Sequence, residues 1–444
     1  MRKQIERWFN HKGLRRYGIN TVWLLFEKGL RIALSVVAVG LTARYLGPET
    51  FGTLAYALSI VSLMMAFGTL GVEEPVIRDL VDPNADRMKI LGSVFYLRLL
   101  GGVVGCCLVW IYLQSVETNA SSALVTAIVI LAIVFQSFSV FELFFQSQVR
   151  GKYSAIPGLI QQWISLSLKL YLIYVQAGLV WFAIAYVFDA AVLAYGLSVA
   201  FQKSGNRLSA LKFDFSYSKA LLFDFWPLML GALLTAVYIR IDQVMIKSLL
   251  DMTHVGIYAS AISLTEVWYV IPVIVCQSLF PAIVAARSNI DIYYRRLENL
   301  MSFLAIIAFG ICIIFTFFSE FFVNSIFGTK YMLAVGALKI SIWSTLFVFL
   351  GSVGSRWLIV ENMAAESFYR VCVGIVVKAS LNYLLIPVMG LNGAALATLF
   401  AHISASLIFD LSDRRSWIMF KIKMRALTFY GLPGYIRHFR SSKI

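Results

Sequence analysis

Long apolar stretches, each about 20 residues in length, recur through the 444-residue chain and limit its possible folds more than any other feature. A helix needs about 20 apolar residues to cross the hydrocarbon core of a bilayer, whereas strands of an outer-membrane barrel alternate over about 10 residues. Only 14% of the residues are charged, against about 25% in soluble proteins. The sequence therefore excludes a soluble enzyme and an outer-membrane barrel, and predicts an all-α integral membrane protein.

We predict twelve transmembrane helices, with the following approximate bounds. They are 19–43, 51–72, 90–113, 121–145, 156–176, 179–201, 221–246, 254–280, 299–321, 332–354, 367–387 and 391–411. Of the 38 Lys and Arg residues, 27 lie in the two tails and in alternate connections, and only Arg44, Lys247 and Lys330 lie in the connections of the opposite side. Because cytoplasmic connections carry the excess of cations, both termini are expected in the cytoplasm, as in an inner-membrane protein.

Basic residues account for the net charge of +15, and they are scattered over several connections and tails. Such residues face the anionic lipids of the cytoplasmic leaflet, so membrane lipids are expected partners and nucleic acid is not. The basic tails at 1–18 and 412–444 also carry apolar residues at helical spacing, which predicts short helices lying on the bilayer surface. The five cysteines lie in apolar stretches and predict no metal site.

An internal repeat is visible at two offsets. Residues 45–62 resemble residues 249–266 at an offset of 204, with Gly52 matching Gly256, and a weaker match at an offset of 212 pairs Gly178 with Gly390. The repeat predicts two six-helix lobes, 19–201 and 221–411, joined by a cytoplasmic linker at 202–220. Because each repeat has an even number of helices, the two repeats enter the membrane in the same direction and run parallel. The expected substrate site is a central cavity between them.

Ionisable residues within the predicted helices are functional candidates, because a charge at the bilayer centre costs at least about 3 kcal/mol. Arginine suits phosphate, since its planar guanidinium binds two oxygens and stays charged. The expected substrate-binding residues, for a diphosphate or an acidic sugar, are Lys28, Arg31, Arg98, Arg240 and Lys378, with Lys169 a further buried cation. The acids expected in ion coupling or in internal pairing are Glu27, Asp189, Asp242 and Glu266.

Other charges near the predicted helix ends have simpler explanations. Arg370 lies about one turn from the cytoplasmic end, where a long side chain can reach the headgroups, and Asp410 is expected to be hydrated. The sequence contains no phosphate loop of the G-x-x-x-x-G-K-[ST] type. We therefore expect no cofactor, and we expect energy from an H⁺ or Na⁺ gradient, the membrane potential or consumption of the substrate.

The sequence resembles a known family over most of its length, and one segment carries the most specific part of the similarity. This segment is RIDQVMI at residues 240–246, followed by EVWY at 266–269 and by Ile271 and Pro272. It is similar to the bacterial polysaccharide transporters, with Lys247 standing where a glycine is expected. This family includes the O-antigen and capsule repeat-unit flippases of the multidrug/oligosaccharidyl-lipid/polysaccharide exporter superfamily. The resemblance implies a two-lobed, alternating-access flippase for undecaprenyl-diphosphate-linked oligosaccharide in lipopolysaccharide or other surface polysaccharide synthesis, working beside other polysaccharide-assembly proteins.

Three other functions are compatible with parts of the sequence. An ion-coupled multidrug or cation antiporter on the same fold predicts a cavity rich in acids, and a flippase for peptidoglycan precursors predicts two further helices. A membrane glycan polymerase or ligase needs catalytic groups in a sizeable outer connection, whereas the longest here is 322–331. We therefore predict no catalytic residues and expect a transporter rather than an enzyme.

Overall fold

The computed structural model describes residues 12–115 and 119–428, with side chains described from residue 29 onward except at residue 364. Every regular element in this part of the chain is helical, as predicted. The helices are α1 (Lys12–Thr69), α2 (Glu73–Val81), α3 (Arg87–Ser115), α4 (Ala120–Val129), α5 (Ala132–Phe135), α6 (Val140–Ser147), α7 (Lys152–Tyr174), α8 (Leu179–Lys203), α9 (Phe215–Leu249), α10 (Met252–Glu266), α11 (Val270–Val284), α12 (Ile290–Phe317), α13 (Ser319–Ile326), α14 (Ala334–Ser341), α15 (Ser344–Val360), α16 (Ala364–Met389), α17 (Leu391–Ser406) and α18 (Trp417–Leu427).

Ten helical stretches in the described chain are long and apolar enough to cross a membrane. Nine of them coincide with predicted spans, and the tenth, Gly29–Val81, covers the first two predicted spans together. Those two are separated by Gly47, whose φ of 76° breaks the helical backbone within α1. The remaining predicted span, 156–176, corresponds to α7, a helix of 23 residues that is not among the ten.

Two predicted spans contain a short turn. In the span at 121–145 the turn lies at Ile130 and Leu131, between α4 and α5, and in the span at 332–354 it lies at Ile342 and Trp343, between α14 and α15. The two turns are 212 residues apart, the offset of the weaker sequence match. The backbone dihedral angles of all four residues stay in the right-handed helical region, so each span continues through its turn.

The chain divides into two compact units. Unit 1 comprises Met1–Leu46 and Thr53–Arg240, and unit 2 comprises Gly47–Gly52 and Ile241–Ile444. Helix α9 is therefore shared, since its residues up to Arg240 belong to unit 1 and those from Ile241 belong to unit 2. The lobe boundaries predicted from the repeat remain a prediction.

The linker at 202–220 packs on unit 1. The amide of Lys212 donates to the carbonyl of Met88 over 3.2 Å, and the Ser93 hydroxyl accepts from the amide of Asp214 over 2.9 Å. The Tyr217 hydroxyl donates to Asp79 over 3.0 Å. The linker is therefore held against the connection between the second and third predicted spans.

The core of unit 1 is rich in aromatic side chains from α3, α6 and α8. Phe141 stacks on Phe201 at a ring-centroid distance of 4.4 Å, and Phe144 meets the same ring edge-on at 5.2 Å. Buried Val94 and Leu91 complete this cluster. Such packing holds α3 against α6 and α8.

Candidate functional site

Arg98 of α3 lies almost fully buried in unit 1, with 1% of its surface exposed. Its Nη2 donates to Glu73 Oε1 over 3.1 Å, and its Nη1 donates to Ser139 Oγ over 2.7 Å. Glu73 begins α2, and Ser139 ends the 3-10 turn Gln136–Ser139. The Glu73 carboxylate neutralises this cation and Ser139 adds a hydrogen bond, so a substrate would have to displace both partners to reach it.

A second, partly buried ion pair in unit 1 joins α7 to α8. Lys169 Nζ lies 3.1 Å from Asp189 Oδ2 and donates to Ser165 Oγ over 2.8 Å. The Ser165 hydroxyl in turn donates to Asp189 Oδ2 over 2.6 Å. Because the serine and the lysine are one helical turn apart, both face the same carboxylate.

Asp242 is the centre of a buried polar cluster in unit 2. Its Oδ2 lies 3.1 Å from Lys378 Nζ on α16 and accepts the Tyr258 hydroxyl of α10 over 2.8 Å. The Thr398 hydroxyl of α17 donates to the same oxygen over 3.3 Å. The side chains of Asp242 and Lys378 are each 3% exposed. One carboxylate thus connects four helices of unit 2, which makes its charge state important for their packing.

Further polar groups surround this cluster. Asn382, one turn beyond Lys378 on α16, is fully buried, and neither of its amide atoms has a hydrogen-bond partner in the described chain. The His402 ring, one turn beyond Thr398 on α17, lies 6.2 Å from the Tyr269 ring. Polar groups buried in this way are unusual and favour a role beyond packing.

A third buried charge cluster lies where α18 packs on unit 2. Asp410 binds Arg370 Nη2 through Oδ1 and Lys423 Nζ through Oδ2, each over 2.6 Å. Lys423 also donates to the carbonyl of Ser406 over 2.5 Å. One carboxylate therefore neutralises two cations, and a net positive charge stays buried.

This cluster corrects two predictions. Arg370 does not reach the headgroups, because it is 4% exposed and bound to Asp410, and Asp410 is not hydrated, because it is fully buried. The predicted helix of the C-terminal tail is present as α18 and packs on the protein through Lys423 and Ile422, and its place on the bilayer surface remains a prediction. In the N-terminal tail, residues 1–11 lie outside the described residues, and the tail from Lys12 onward belongs to α1. The pairings require contacts between distant segments, which spacing along the chain does not reveal.

Lys423 should make stability depend on pH. Burial away from water, and then the like charge of Arg370, lower its pKa from 10.5 to about 8 despite the attraction of Asp410. Between these values the unfolded chain binds more protons than the folded chain, so stability rises as the pH increases from about 8 to 10.5. We expect the melting temperature in detergent to rise over this window more in the parent than in Lys423→Met. Equal pH profiles for the two proteins would contradict a depressed lysine pKa.

The predicted site residues divide between the two units. In unit 1, Arg98 and Asp189 are buried in ion pairs, and in unit 2 Asp242 and Lys378 bind one another. The half-buried residues are Arg31, Arg240 and Glu266. The side chains of Glu27 and Lys28 lie outside the described residues. The roles assigned to these nine residues remain predictions.

Sequence reasoning missed the neutral partners and one acid. Glu73, Ser139, Tyr258 and Thr398 complete the buried pairs, yet none stands out from its neighbours in the sequence. A signal did exist at Asn382, four residues after Lys378, because two polar side chains on one face of an apolar helix mark a polar interior.

Comparisons with known proteins identify the family. Residues 18–286 match a family described as polysaccharide biosynthesis protein. A Shigella flexneri protein with the provisional name of O-antigen transporter is 21% identical over 394 residues, which cover 85% of this chain and 93% of that protein. The fold is similar to the lipid II flippase MurJ in its inward closed conformation, with a TM-score of 0.72, 15% identity and coverage of 92% of this chain and 91% of MurJ. It is also similar to an inward-facing multidrug resistance MATE transporter of the MOP superfamily, with a TM-score of 0.69, 14% identity and coverage of 88% and 95%. Because the family match covers more than half of its length, the chain belongs to the polysaccharide biosynthesis protein family.

Proposed function

We propose that the protein is a flippase that carries undecaprenyl-diphosphate-linked oligosaccharide from the cytoplasmic to the periplasmic leaflet of a bacterial inner membrane, by alternating access. The observation that carries this proposal is the family match over residues 18–286. The S. flexneri relative named as an O-antigen transporter and the fold shared with a lipid II flippase support the same class of cargo. Both termini are assigned to the cytoplasm on the distribution of Lys and Arg.

The chemistry of the cargo explains why buried cations are needed. A diphosphate and its sugars cannot enter hydrocarbon, whereas the lipid tail can remain there, so the protein needs to shelter only the headgroup. Arg31 and Arg240 are half-buried, so part of each side chain is open to a ligand, while Arg98 and Lys378 are almost fully buried. We assign the diphosphate or acidic sugar to Arg31 and Arg240, and we assign positioning of helices to Arg98 and Lys378.

Asp242 is our candidate for coupling transport to an ion gradient. A coupling cation bound at its carboxylate would weaken the attraction to Lys378 and alter the bonds to Tyr258 and Thr398. A change of charge at this one residue would thereby alter the packing of four helices. A gradient can act through such a residue because it biases two conformations of the protein.

The substrate assignment is tested in a strain that lacks the gene. Arg31→Ala and Arg240→Ala should each abolish surface glycan, because the lost guanidinium leaves the diphosphate without a charge partner, while Arg207→Ala, an exposed linker residue, should restore normal amounts. Surface glycan is measured on gels, and protein amount is measured in membranes. Normal glycan with either variant would remove that arginine from the proposed site.

A further inference from the structure

A cavity of about 540 Å³ opens on the surface of unit 1. Its walls are formed by the connection between the second and third predicted spans, by the first turn of α3 and by the start of α9. Pockets that hold small molecules measure about 300–1,000 Å³. The cavity therefore has the size of a ligand pocket, and its lining includes none of the residues predicted to bind substrate or to couple ions.

The lining of the cavity carries a net negative charge. Its charged side chains are four carboxylates and two cations, a net charge of −2, and they belong to Asp79, Asp82, Asp86, Asp214, Arg78 and Lys89. The tails and connections on this side of the membrane otherwise hold an excess of cations, 27 of the 38 Lys and Arg residues. A cleft lined by negative charge repels phosphate groups. The cavity therefore suits a ligand that carries no negative charge.

Two ion pairs and a tyrosine hold the walls of the cavity together. Arg78 Nη2 lies 3.1 Å from Asp79 Oδ1, and the Tyr217 hydroxyl donates to Asp79 Oδ2 over 3.0 Å. Lys89 Nζ lies 3.9 Å from Asp214 Oδ2. These contacts join the connection and α3 to the segment that begins α9, so the cavity is formed before any ligand binds.

Asp82 and Asp86 each keep one carboxylate oxygen available. Asp82 Oδ1 accepts the amide of Asn84 over 2.9 Å. Asp86 Oδ1 accepts the amides of Met88 and Lys89 over 3.1 and 3.3 Å. Both carboxylates are exposed, and the second oxygen of each makes no hydrogen bond within the described chain. Because hydrogen bonds to an ionised carboxylate are charge-assisted, these two oxygens are strong acceptors for a ligand.

Sugars match this lining better than apolar ligands do. Each sugar ring offers several hydroxyls, which donate to carboxylates and accept from cations, and the cavity supplies both kinds of partner in its carboxylates and in Arg78 and Lys89. Ala85 and Ile90 add a small apolar surface for the C–H face of a ring. An apolar ligand would desolvate the carboxylates without replacing their bonds to water, which costs free energy.

We propose that this cavity binds the sugars of the lipid-linked cargo before translocation, and that it selects sugars without a negative charge. The proposal rests on the proposed function, in which the cargo starts in the cytoplasmic leaflet with its sugars in water. The cavity is assigned to that side by the distribution of Lys and Arg. Recognition is thereby divided, because Arg31 and Arg240 bind the diphosphate and the cavity binds the sugars that distinguish one repeat unit from another.

The test measures protection of a cysteine in the wall of the cavity. Ala85→Cys is introduced into the whole chain with its five native cysteines replaced, and labelling by a maleimide is followed in inside-out vesicles. The probe is the free oligosaccharide, released by mild acid from the lipid-linked intermediates of a strain that lacks the gene. At about ten times its dissociation constant it leaves about a tenth of the sites free, so labelling should slow roughly tenfold. Arg207→Cys, in the exposed linker outside the cavity, should label at the same rate with and without the probe.

Asp82→Asn and Asp86→Asn, combined with Ala85→Cys, identify the groups responsible. Asparagine keeps a side-chain oxygen that accepts the local amides, so the fold is preserved while the negative charge is lost. Replacing two charge-assisted bonds by neutral ones should raise the oligosaccharide concentration for half-protection roughly tenfold. Glu74→Gln is the matched control, since Glu74 is an exposed carboxylate of the same connection outside the cavity, and it should leave that concentration unchanged.

Three results would overturn the proposal. The first is labelling of Ala85→Cys that the oligosaccharide does not slow. The second is equal protection by undecaprenyl diphosphate without sugar, or by an oligosaccharide whose primary hydroxyls have been oxidised to carboxylates, because the charge of the lining would then play no part. The third is labelling that slows only while peripheral proteins remain on the vesicles, which would assign the cavity to a protein partner.

Protection and transport, measured on the same protein, separate failure of the cavity from failure of the proposed function. Transport of lipid-linked oligosaccharide by the parent, without protection of Ala85→Cys by the free oligosaccharide, would reject the cavity and leave the flippase intact. Protection in a protein that moves no lipid-linked oligosaccharide would reject the flippase and leave the cavity as a sugar-binding site.

Discussion

Lys378→Met should lower the melting temperature of the purified protein in detergent by about 10 °C, given the cost of breaking a buried ion pair. The substitution removes the ammonium group 3.1 Å from Asp242 and leaves a carboxylate that is 3% exposed without that cation. Breaking a buried ion pair in this way costs about 3–5 kcal/mol. Thermal unfolding followed by size-exclusion chromatography measures the change.

A second substitution separates charge from packing. Adding Asp242→Asn to Lys378→Met removes the unpaired charge as well, and should recover most of the lost stability, because a neutral buried pair avoids the desolvation of both ions. Lys330→Met, at an exposed lysine, is the matched control and should leave the melting temperature unchanged. A double variant as unstable as Lys378→Met would show that the pair acts through shape and not through charge.

Asp410→Asn should destabilise the protein more than either substitution of its partners. It leaves Arg370 and Lys423 as two buried cations with no neutralising carboxylate, whereas Lys423→Met leaves a balanced pair of Arg370 and Asp410. We expect about 3–5 kcal/mol for Asp410→Asn and a smaller loss for Lys423→Met. Limited proteolysis should cut the Asp410→Asn protein near α18, because repulsion within the cluster weakens the docking of this helix.

Asp413→Asn is the control for this prediction, since Asp413 lies three residues away and caps the backbone at the chain's surface. It should leave both the melting temperature and the proteolysis pattern close to those of the parent. If Asp410→Asn protein were cut no faster than the control, the buried cluster would not be what holds α18 in place.

The positions of the helices could be predicted from the sequence because burial in a membrane leaves a local signal. Each apolar stretch of sufficient length becomes helical wherever it stands, since the bilayer offers no other partner for backbone groups. The span at 391–411 illustrates this point, because the observed apolar helical stretch has the same bounds. The turn at Ile130 and Leu131 has no such signal, since both residues are apolar.

The buried charges could be located from the sequence, but their partners could not. Arg98 stands out in an apolar helix, whereas its partner Glu73 does not, because Glu73 lies next to a predicted span end. In the sequence, Arg370 and Asp410 each lie near a predicted helix end, and nothing there shows that they bind one another. Pairing depends on where helices distant in sequence meet, and no spacing rule contains that information.

The repeat is the case in which sequence and structure inform one another. The offset of 204 was visible as a similarity of two short stretches, a similarity that Ala-rich apolar helices also share by composition. Within unit 2, the close approaches of Gly52 to Met252 and of Gly256 to Pro48 involve residues related by the same offset. A symmetric contact of this kind follows from shared geometry and not from composition.

Transport of cargo in purified vesicles tests the central claim most directly. Fluorescent undecaprenyl-diphosphate-linked oligosaccharide is placed in proteoliposomes, and the fraction that reaches the opposite leaflet is followed by a quencher added outside, with and without an imposed ion gradient. The account predicts faster exchange than in empty vesicles, and a loss of that acceleration in Arg31→Ala and Arg240→Ala. Exchange no faster than in empty vesicles under every gradient would contradict the proposal that this protein is a flippase.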